Sequence, residues 1–109
     1  MVARVVKETL EAERWEVETC ADGTTALEKI ASEARYDLLL LDYDLPGVDG
    51  IQLTQHARGL DHRTRTPIVI LSAMPIDEAA RDARADAFLR KPEDLSSLAE
   101  TITRLLAAR

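Results

Sequence analysis

The spacing of apolar residues changes along the chain and outlines its first elements. The first segment carries apolar residues at helical spacing, which predicts an amphipathic helix beginning almost at Met1: Val2, Val5, Val6 and Leu10. Residues 15–20 instead alternate apolar and polar side chains, and we expect a half-exposed or edge strand there. A second amphipathic helix follows a turn, with Asp22 or Thr24 as the residue that caps its amino end.

Three later segments are short, uninterrupted apolar runs rather than alternating ones. They occupy residues 38–41, 67–71 and 87–89, and helix-forming segments separate and follow them over residues 51–60, 76–85 and 95–106. Strands that are apolar on both faces are typical of a parallel sheet covered by helices on each side. The alternation therefore predicts one α/β domain over residues 1–109 with a doubly wound parallel sheet. Because it starts with a helix, only four strands are expected.

Composition and charge narrow the class of protein. Hydrophobic residues make up 46% of the 109 positions, which fits a globular chain with one core. The formal net charge of -6 argues against a nucleic-acid or anionic-membrane surface, since both need clustered lysine and arginine. Cys20 is the single cysteine, so an internal disulfide is excluded. No apolar run approaches the roughly 20 residues of a membrane span and no signal-peptide pattern opens the chain, so we expect a cytoplasmic protein.

Polar side chains that suit phosphoryl chemistry follow each of the apolar runs. Asp42 and Asp44 follow the first run, Ser72 the second and Lys91 the third. In open α/β sheets, ligand sites lie at the carboxyl ends of the strands. A carboxylate there can act as a nucleophile or a metal ligand, while a hydroxyl and an ammonium can donate to phosphoryl oxygens. Each residue alone also fits a simpler role in a turn or in solvent, so the combination carries the prediction.

Three motifs make the chain resemble the receiver domain of two-component response regulators. They are Asp-Tyr-Asp-Leu-Pro-Gly-Val-Asp-Gly from residue 42, Ile-Val-Ile-Leu-Ser-Ala from residue 68, and Ala-Phe-Leu-Arg-Lys-Pro from residue 87. The resemblance covers essentially the whole chain. It implies a flavodoxin-like fold with sheet order 2-1-3-4-5 and a cis peptide bond before Pro92. It also implies phosphorelay signalling without enzymatic turnover, beyond autophosphorylation and autodephosphorylation at Asp42.

The resemblance assigns a role to each candidate residue. Asp42 matches the aspartate that accepts a phosphoryl group from a sensor histidine kinase or a phosphotransfer protein. Asp44 matches the position whose backbone carbonyl helps to hold Mg²⁺, the cofactor that the family implies. Ser72 matches the hydroxyl that bonds the phosphoryl group, and Lys91 matches the lysine that pairs with it. Phe88 matches the aromatic switch residue, and a downstream protein partner would read the change.

The chain departs from the family pattern at its amino end. The family begins with a strand that ends in acidic residues, which bind Mg²⁺ and here would precede Met1. We therefore expect poor Mg²⁺ affinity, because Mg²⁺ usually takes two carboxylates and only Asp42 is securely placed. The missing strand would lie in the middle of the sheet and leave main-chain groups of its neighbours unpaired. Three explanations stand open: a chain shortened at an internal methionine, a natural variant in which the first helix and residues 15–20 close the gap, or a partner chain that fills it in a homodimer.

Two smaller departures concern the face that would bind a partner. The segment from Ser72 to Lys91 is shorter than is usual in the family, so we expect its helix to be clipped. Arg84 stands where the family generally has glycine before the last strand. Both changes should alter the geometry of that face.

Two other classes of function compete with the phosphoacceptor receiver. A pseudo-receiver would keep the scaffold as a protein-interaction module with impaired Mg²⁺-dependent phosphorylation, and the missing acidic residues favour it. A haloacid-dehalogenase-like phosphatase would also place two aspartates after an apolar strand and use a later hydroxyl and lysine. Leu45 and Pro46 stand where that pattern continues with glycine and threonine, and the sequence has no acidic pair after a later strand.

Overall fold

The structure is a computed structural model that describes residues 2–108, with side chains described from Val6 onward. The predicted apolar positions Val2 and Val5 therefore lie outside the described side chains. Two helices come first, and strands then alternate with helices along the described residues: α1 (Val2–Ala12), α2 (Gly23–Ala31), β1 (Leu39–Asp42), α3 (Gly50–Arg58), β2 (Ile68–Ser72), α4 (Asp77–Asp82), β3 (Ala87–Arg90) and α5 (Leu98–Ala107). Short 3₁₀ turns lie at Asp61–Arg63 and Leu95–Ser97.

The strands form one parallel sheet in the order β1-β2-β3. Every residue of the central strand β2 is buried, and its side chains alternate between two cores. Ile68 and Ile70 join the core under α2 and α3, while Val69 and Leu71 join the core under α1 and α5. A continuously apolar strand is required for this placement because helices cover both faces. The predicted doubly wound α/β architecture is confirmed.

The predicted strand over residues 15–20 is wrong. The sheet formed by the described residues has three strands rather than four, and residues 15–20 belong to none of them. Their side chains do alternate between half-buried and exposed over the first four positions, as the pattern indicated. A strand, however, needs a hydrogen-bonded neighbour, and within residues 2–108 β1 pairs only with β2. The alternation therefore reflects which side chains of the segment pack inward. A groove separates residues 15–20 from the sheet.

The helix termini follow local hydrogen-bond chemistry. Asp22, not Thr24, caps α2, and its carboxylate accepts the Thr25 N–H at 2.7 Å. Asp49 caps α3, and Gln52 completes a capping box by accepting the Asp49 N–H. No helix within residues 2–108 is both long and apolar enough to span a membrane.

The segment between β2 and β3 carries both predicted departures. Helix α4 has only six residues, so it is short as expected. Arg84 follows its end with φ +70°, in the left-handed region that favours glycine. The peptide bond between Lys91 and Pro92 is cis, as predicted.

Candidate functional site

Asp42 ends β1, and the start of α3 packs closely against its main chain. A Cβ atom at Gly50 would lie 3.2 Å from the carbonyl carbon and oxygen of Asp42. Glycine therefore allows this approach of α3 to the strand end. The sequence analysis gave Gly50 no role. The signal that could have identified it is a poor helix former placed at the first position of a helix.

Lys91 holds the Asp42 carboxylate from the residue after β3. Its Nζ lies 3.1 Å and 3.0 Å from the two carboxylate oxygens of Asp42, and 3.4 Å from a carboxylate oxygen of Asp44. The Lys91 side chain is 12% exposed, whereas that of Asp42 is 34% exposed. The ammonium is thus largely removed from water, while the carboxylate keeps an open side from which a reactant can approach.

The loop after Asp42 is held in place from two directions. The Asp44 N–H donates to Oδ1 of Asp42 at 2.9 Å, which closes a tight turn directly after the strand. Farther along, the Gly23 N–H donates to the Pro46 carbonyl at 3.0 Å. A Cβ atom at Gly23 would lie 1.8 Å from the Val48 carbonyl oxygen, so only glycine fits where α2 meets this loop. The start of α2 therefore supports the turn that positions the two aspartates.

Ser72 lies at the same edge of the sheet but does not contact Asp42 through a hydrogen bond. It ends β2, is fully buried, and its Oγ accepts the Met74 N–H at 2.9 Å. Its carbonyl accepts the Lys91 N–H at 2.9 Å, which ties the end of β2 to the lysine. The structure therefore brings Asp42, Asp44 and Lys91 into contact. It places Ser72 at the same edge, with its hydroxyl bonded to the main chain of the following turn.

Phe88 sits on β3, away from this carboxyl edge. It is half-buried and packs against the core under α2 and α3. Its partner in the sheet register is Ile70 of the buried central strand. The side chain thus has one face in the core and one toward solvent.

Comparison with known proteins identifies the family. A family model described as the response regulator receiver domain matches residues 1–103. The chain belongs to this family. The regulatory protein VanRB of Enterococcus faecalis is 34% identical to this receiver over 108 residues, covering 96% of the chain and 47% of that protein. The response regulator ArlR of Staphylococcus saprophyticus is 35% identical with the same coverage. The receiver thus spans about half the length of these curated relatives.

Solved structures agree with this assignment. The receiver domain of the sensor histidine kinase PA1611 from Pseudomonas aeruginosa superimposes with a TM-score of 0.85 at 28% identity, over 96% of this chain and 88% of that chain. That structure has a magnesium ion coordinated in its active site cleft. The chemotaxis response regulator CheY4 of Vibrio cholerae also gives a TM-score of 0.85, at 30% identity over 95% of this chain and 88% of that chain. The predicted flavodoxin-like receiver fold is confirmed.

The oxygen donors of this receiver supply only part of a magnesium shell. Receiver domains typically bind Mg²⁺, which takes six oxygens in near-octahedral geometry. Here the carboxylates of Asp42 and Asp44 both contact the ammonium of Lys91, which lies within 3.4 Å of each. The positive charge of this ammonium repels a metal cation at the same place. Within residues 2–108 no group of three or more His, Cys, Asp or Glu residues could hold a metal ion. These residues do not by themselves fit a resident Mg²⁺.

Proposed function

We propose that this receiver is the phosphoacceptor of a two-component phosphorelay and that Asp42 takes the phosphoryl group. The observation that carries the proposal is the pairing of a part-exposed carboxylate with a largely buried lysine at the carboxyl edge of the sheet. The Lys91 ammonium also reaches Asp44, so two carboxylates and one ammonium meet at the strand ends, where open α/β sheets place their ligand sites. We further propose that residues 1–109 act as one receiver-like domain and that the function is signalling rather than turnover of a substrate.

The chemistry uses the side chains in distinct roles. A carboxylate oxygen of Asp42 attacks the phosphorus of a phosphohistidine on a sensor kinase or a phosphotransfer protein. The phosphorus–nitrogen bond breaks as the acyl phosphate forms, and the released imidazole takes a proton from solvent. Lys91 places its charge beside the phosphoryl oxygens, where negative charge accumulates in the transition state. Asp44 contributes through its main chain, since its N–H already orients the Asp42 carboxylate.

Ser72 and Phe88 would then report the modification to a downstream protein partner. The Ser72 hydroxyl turns from the Met74 amide, which it contacts at 2.9 Å, and donates to a phosphoryl oxygen. This rotation is a local packing change of the kind that phosphorylation switches use. Phe88 has a half-buried position, so a small inward or outward rotation changes the surface of β3.

A second candidate function is a pseudo-receiver that binds partners without efficient phosphorylation. The observation that favours it is the incomplete magnesium shell described above. The Asp42–Lys91 pair opposes it, because it keeps a part-exposed carboxylate beside an ammonium at the carboxyl ends of the strands. The two candidates differ in whether the chain accepts a phosphoryl group.

Intact-mass measurement after treatment with acetyl phosphate and MgCl₂ tests the proposal. One adduct of about 80 Da, the mass of one phosphoryl group, is expected. The adduct should be absent from Asp42→Asn and retained by Asp44→Asn, which removes the neighbouring carboxylate but keeps the main chain. A folded chain without an adduct would establish the pseudo-receiver. Repeated turnover of a phosphate ester would contradict both candidates and point to a phosphatase.

A further inference from the structure

A cavity of about 580 Å³ lies at the amino edge of the sheet, opposite the edge that carries Asp42. Two connecting segments form its walls: residues 33–37, which lead from α2 into β1, and residues 61–67, which lead from α3 into β2. A space of this size is in the usual range for small-molecule sites. The phosphoryl chemistry at Asp42 does not involve this edge of the sheet.

Arg63 brings a buried charge to the wall of this cavity and is only 2% exposed. Its Nε donates to the Ile30 carbonyl, and its Nη2 donates to the carbonyls of Lys29, Ser32 and Ala34. Its Nη1 donates to no acceptor within the described part of the chain. In that part, every fully buried side-chain nitrogen or oxygen has a hydrogen-bond partner, so Nη1 is open to the solvent of the cavity.

The positive charge of Arg63 has no carboxylate partner among residues 6–108, because none of the ion pairs formed there includes it. Carbonyl dipoles and the ring of Tyr36, whose centre lies 5.0 Å from Cζ, balance the charge only in part. A guanidinium keeps its proton in proteins, so burial cannot neutralise it. Buried charges are normally paired, and this one therefore favours an anionic partner.

The charged side chains at the mouth of the cavity are of both signs. The exposed charged residues that line it are Arg35, Arg65, Glu33, Asp37 and Asp61. Exposed charges are screened by water and salt, so these opposite charges largely offset one another. The guanidinium of Arg63 is screened less because it is buried. The inner end of the cavity is therefore its cationic end.

We propose that this cavity binds a small molecule through an oxyanion group, a phosphate or a carboxylate, which accepts hydrogen bonds from Nη1 of Arg63. Nη1 offers two N–H donors, and hydrogen bonds from arginine to such anions are among the strongest in proteins. An oxyanion fills only part of about 580 Å³, so the rest of the ligand extends toward the mouth. Binding connects residues 33–37 to residues 61–67 and does not depend on phosphorylation of Asp42.

NMR titration of the whole chain tests this site. The probes are potassium phosphate and potassium acetate, each added at neutral pH in exchange for potassium chloride at constant ionic strength. We expect saturable shifts of the Arg63 guanidinium resonances and of the main-chain amides in residues 33–37 and 61–67 with at least one probe. The probe with the smaller dissociation constant identifies the preferred oxyanion as phosphate or carboxylate.

Two matched variants locate the bound anion. Ala34→Glu places a carboxylate on the cavity wall, whereas Ala79→Glu places the same charge on an exposed residue of α4 outside the cavity. We expect Ala34→Glu to weaken binding of the tighter probe about tenfold, because nearby like charges repel, and Ala79→Glu to change it by less than about twofold. Both residues are exposed, so neither variant disturbs the core, and circular dichroism verifies that both are folded.

The absence of saturable shifts with both probes would overturn the proposal, as would equal weakening of binding by the two variants. Shifts confined to the amides of residues 42–44 and of Lys91 would place the anion at the carboxyl edge and would also exclude this site. The acetyl phosphate adduct on Asp42 is measured separately, so failure of the phosphoacceptor proposal is distinguishable from failure of this one.

Discussion

Arg84 adopts a backbone conformation that residues with a side chain rarely take. Its φ of +70° lies in the left-handed region, where Cβ crowds the main chain. The surrounding contacts hold it there, because Arg58 Nε donates to the Arg84 carbonyl at 3.0 Å. This contact joins the end of α4 to α3. The position is therefore strained locally and retained by its neighbours.

Replacing this residue with glycine should stabilise the protein. We expect Arg84→Gly to raise the free energy of unfolding by about 0.5–1 kcal/mol, since glycine adopts positive φ without strain. Arg81→Gly serves as the control, because Arg81 lies within α4. There glycine should lower the free energy of unfolding by about 1 kcal/mol. Urea denaturation measures both values, and a loss of stability in Arg84→Gly would contradict the strain argument.

Helix α2 is capped at its amino end by the side chain of Asp22. The Asp22 carboxylate accepts the Thr25 N–H at 2.7 Å, and this hydrogen bond holds the pKa of Asp22 below its ordinary value of 3.8. Folding therefore favours the ionised carboxylate. The resulting stabilisation is fully present above the unfolded-state pKa and is lost as the pH falls through the lower folded-state pKa. Because α2 also supports the loop after Asp42, its start connects an acid-sensitive cap to the site.

Two substitutions at Asp22 distinguish the stabilisation by the N-cap hydrogen bond from the pH dependence that the carboxylate adds. Asp22→Ala should lower the melting temperature by a few degrees at pH 7, since the helix loses its N-cap. The difference from the unchanged protein should shrink below about pH 4. Asp22→Asn should keep most of the stability at pH 7, because asparagine also caps, but should lose this contribution to the pH dependence. Thermal unfolding followed by circular dichroism from pH 7 to pH 3 measures all three. Parallel curves for Asp22→Ala and the unchanged protein would contradict the prediction.

At the scale of the whole molecule, Arg63 joins segments that are distant in the sequence. It is 2% exposed, and its guanidinium donates to the carbonyls of Ile30, Ser32 and Ala34 at 2.9, 3.1 and 2.7 Å. Its Cζ lies 5.0 Å from the centre of the Tyr36 ring, a cation–π contact. One buried arginine thus fixes the chain between α2 and β1 against the loop that leads into β2.

Loss of this arginine should destabilise the whole domain. Arg63→Met keeps much of the side-chain volume but leaves the carbonyl groups without their donor. We expect the free energy of unfolding to fall by about 2–4 kcal/mol, because hydrogen bonds from a charged group are strong when buried. Arg65→Met, at an exposed position two residues later, should change it by less than about 0.5 kcal/mol. Equal effects of the two substitutions in urea denaturation would show that the buried contacts do not matter.

Local patterns in the sequence were sufficient for much of the fold and the site. Helical spacing predicted α1 and α5, and uninterrupted apolar runs predicted β1 and the wholly buried β2. Parallel strands all end at the same edge of a sheet, so the positions of Asp42 and Lys91 directly after their strands predicted that they lie close together. Their contact at 3.0 Å agrees with that reasoning. These features depend on residue type and spacing, which are properties of the chain itself.

The tertiary structure decided the features that depend on a distant partner. Residues 15–20 have the alternation of a strand, but a strand forms only where another edge is within hydrogen-bonding reach, and here a groove lies between. The Ser72 hydroxyl bonds the Met74 amide rather than the site, because an available N–H in the next turn satisfies it. Arg63 is buried because carbonyls from another segment surround it. Spacing along a chain determines which face a residue occupies, whereas only the packed molecule determines what that face meets.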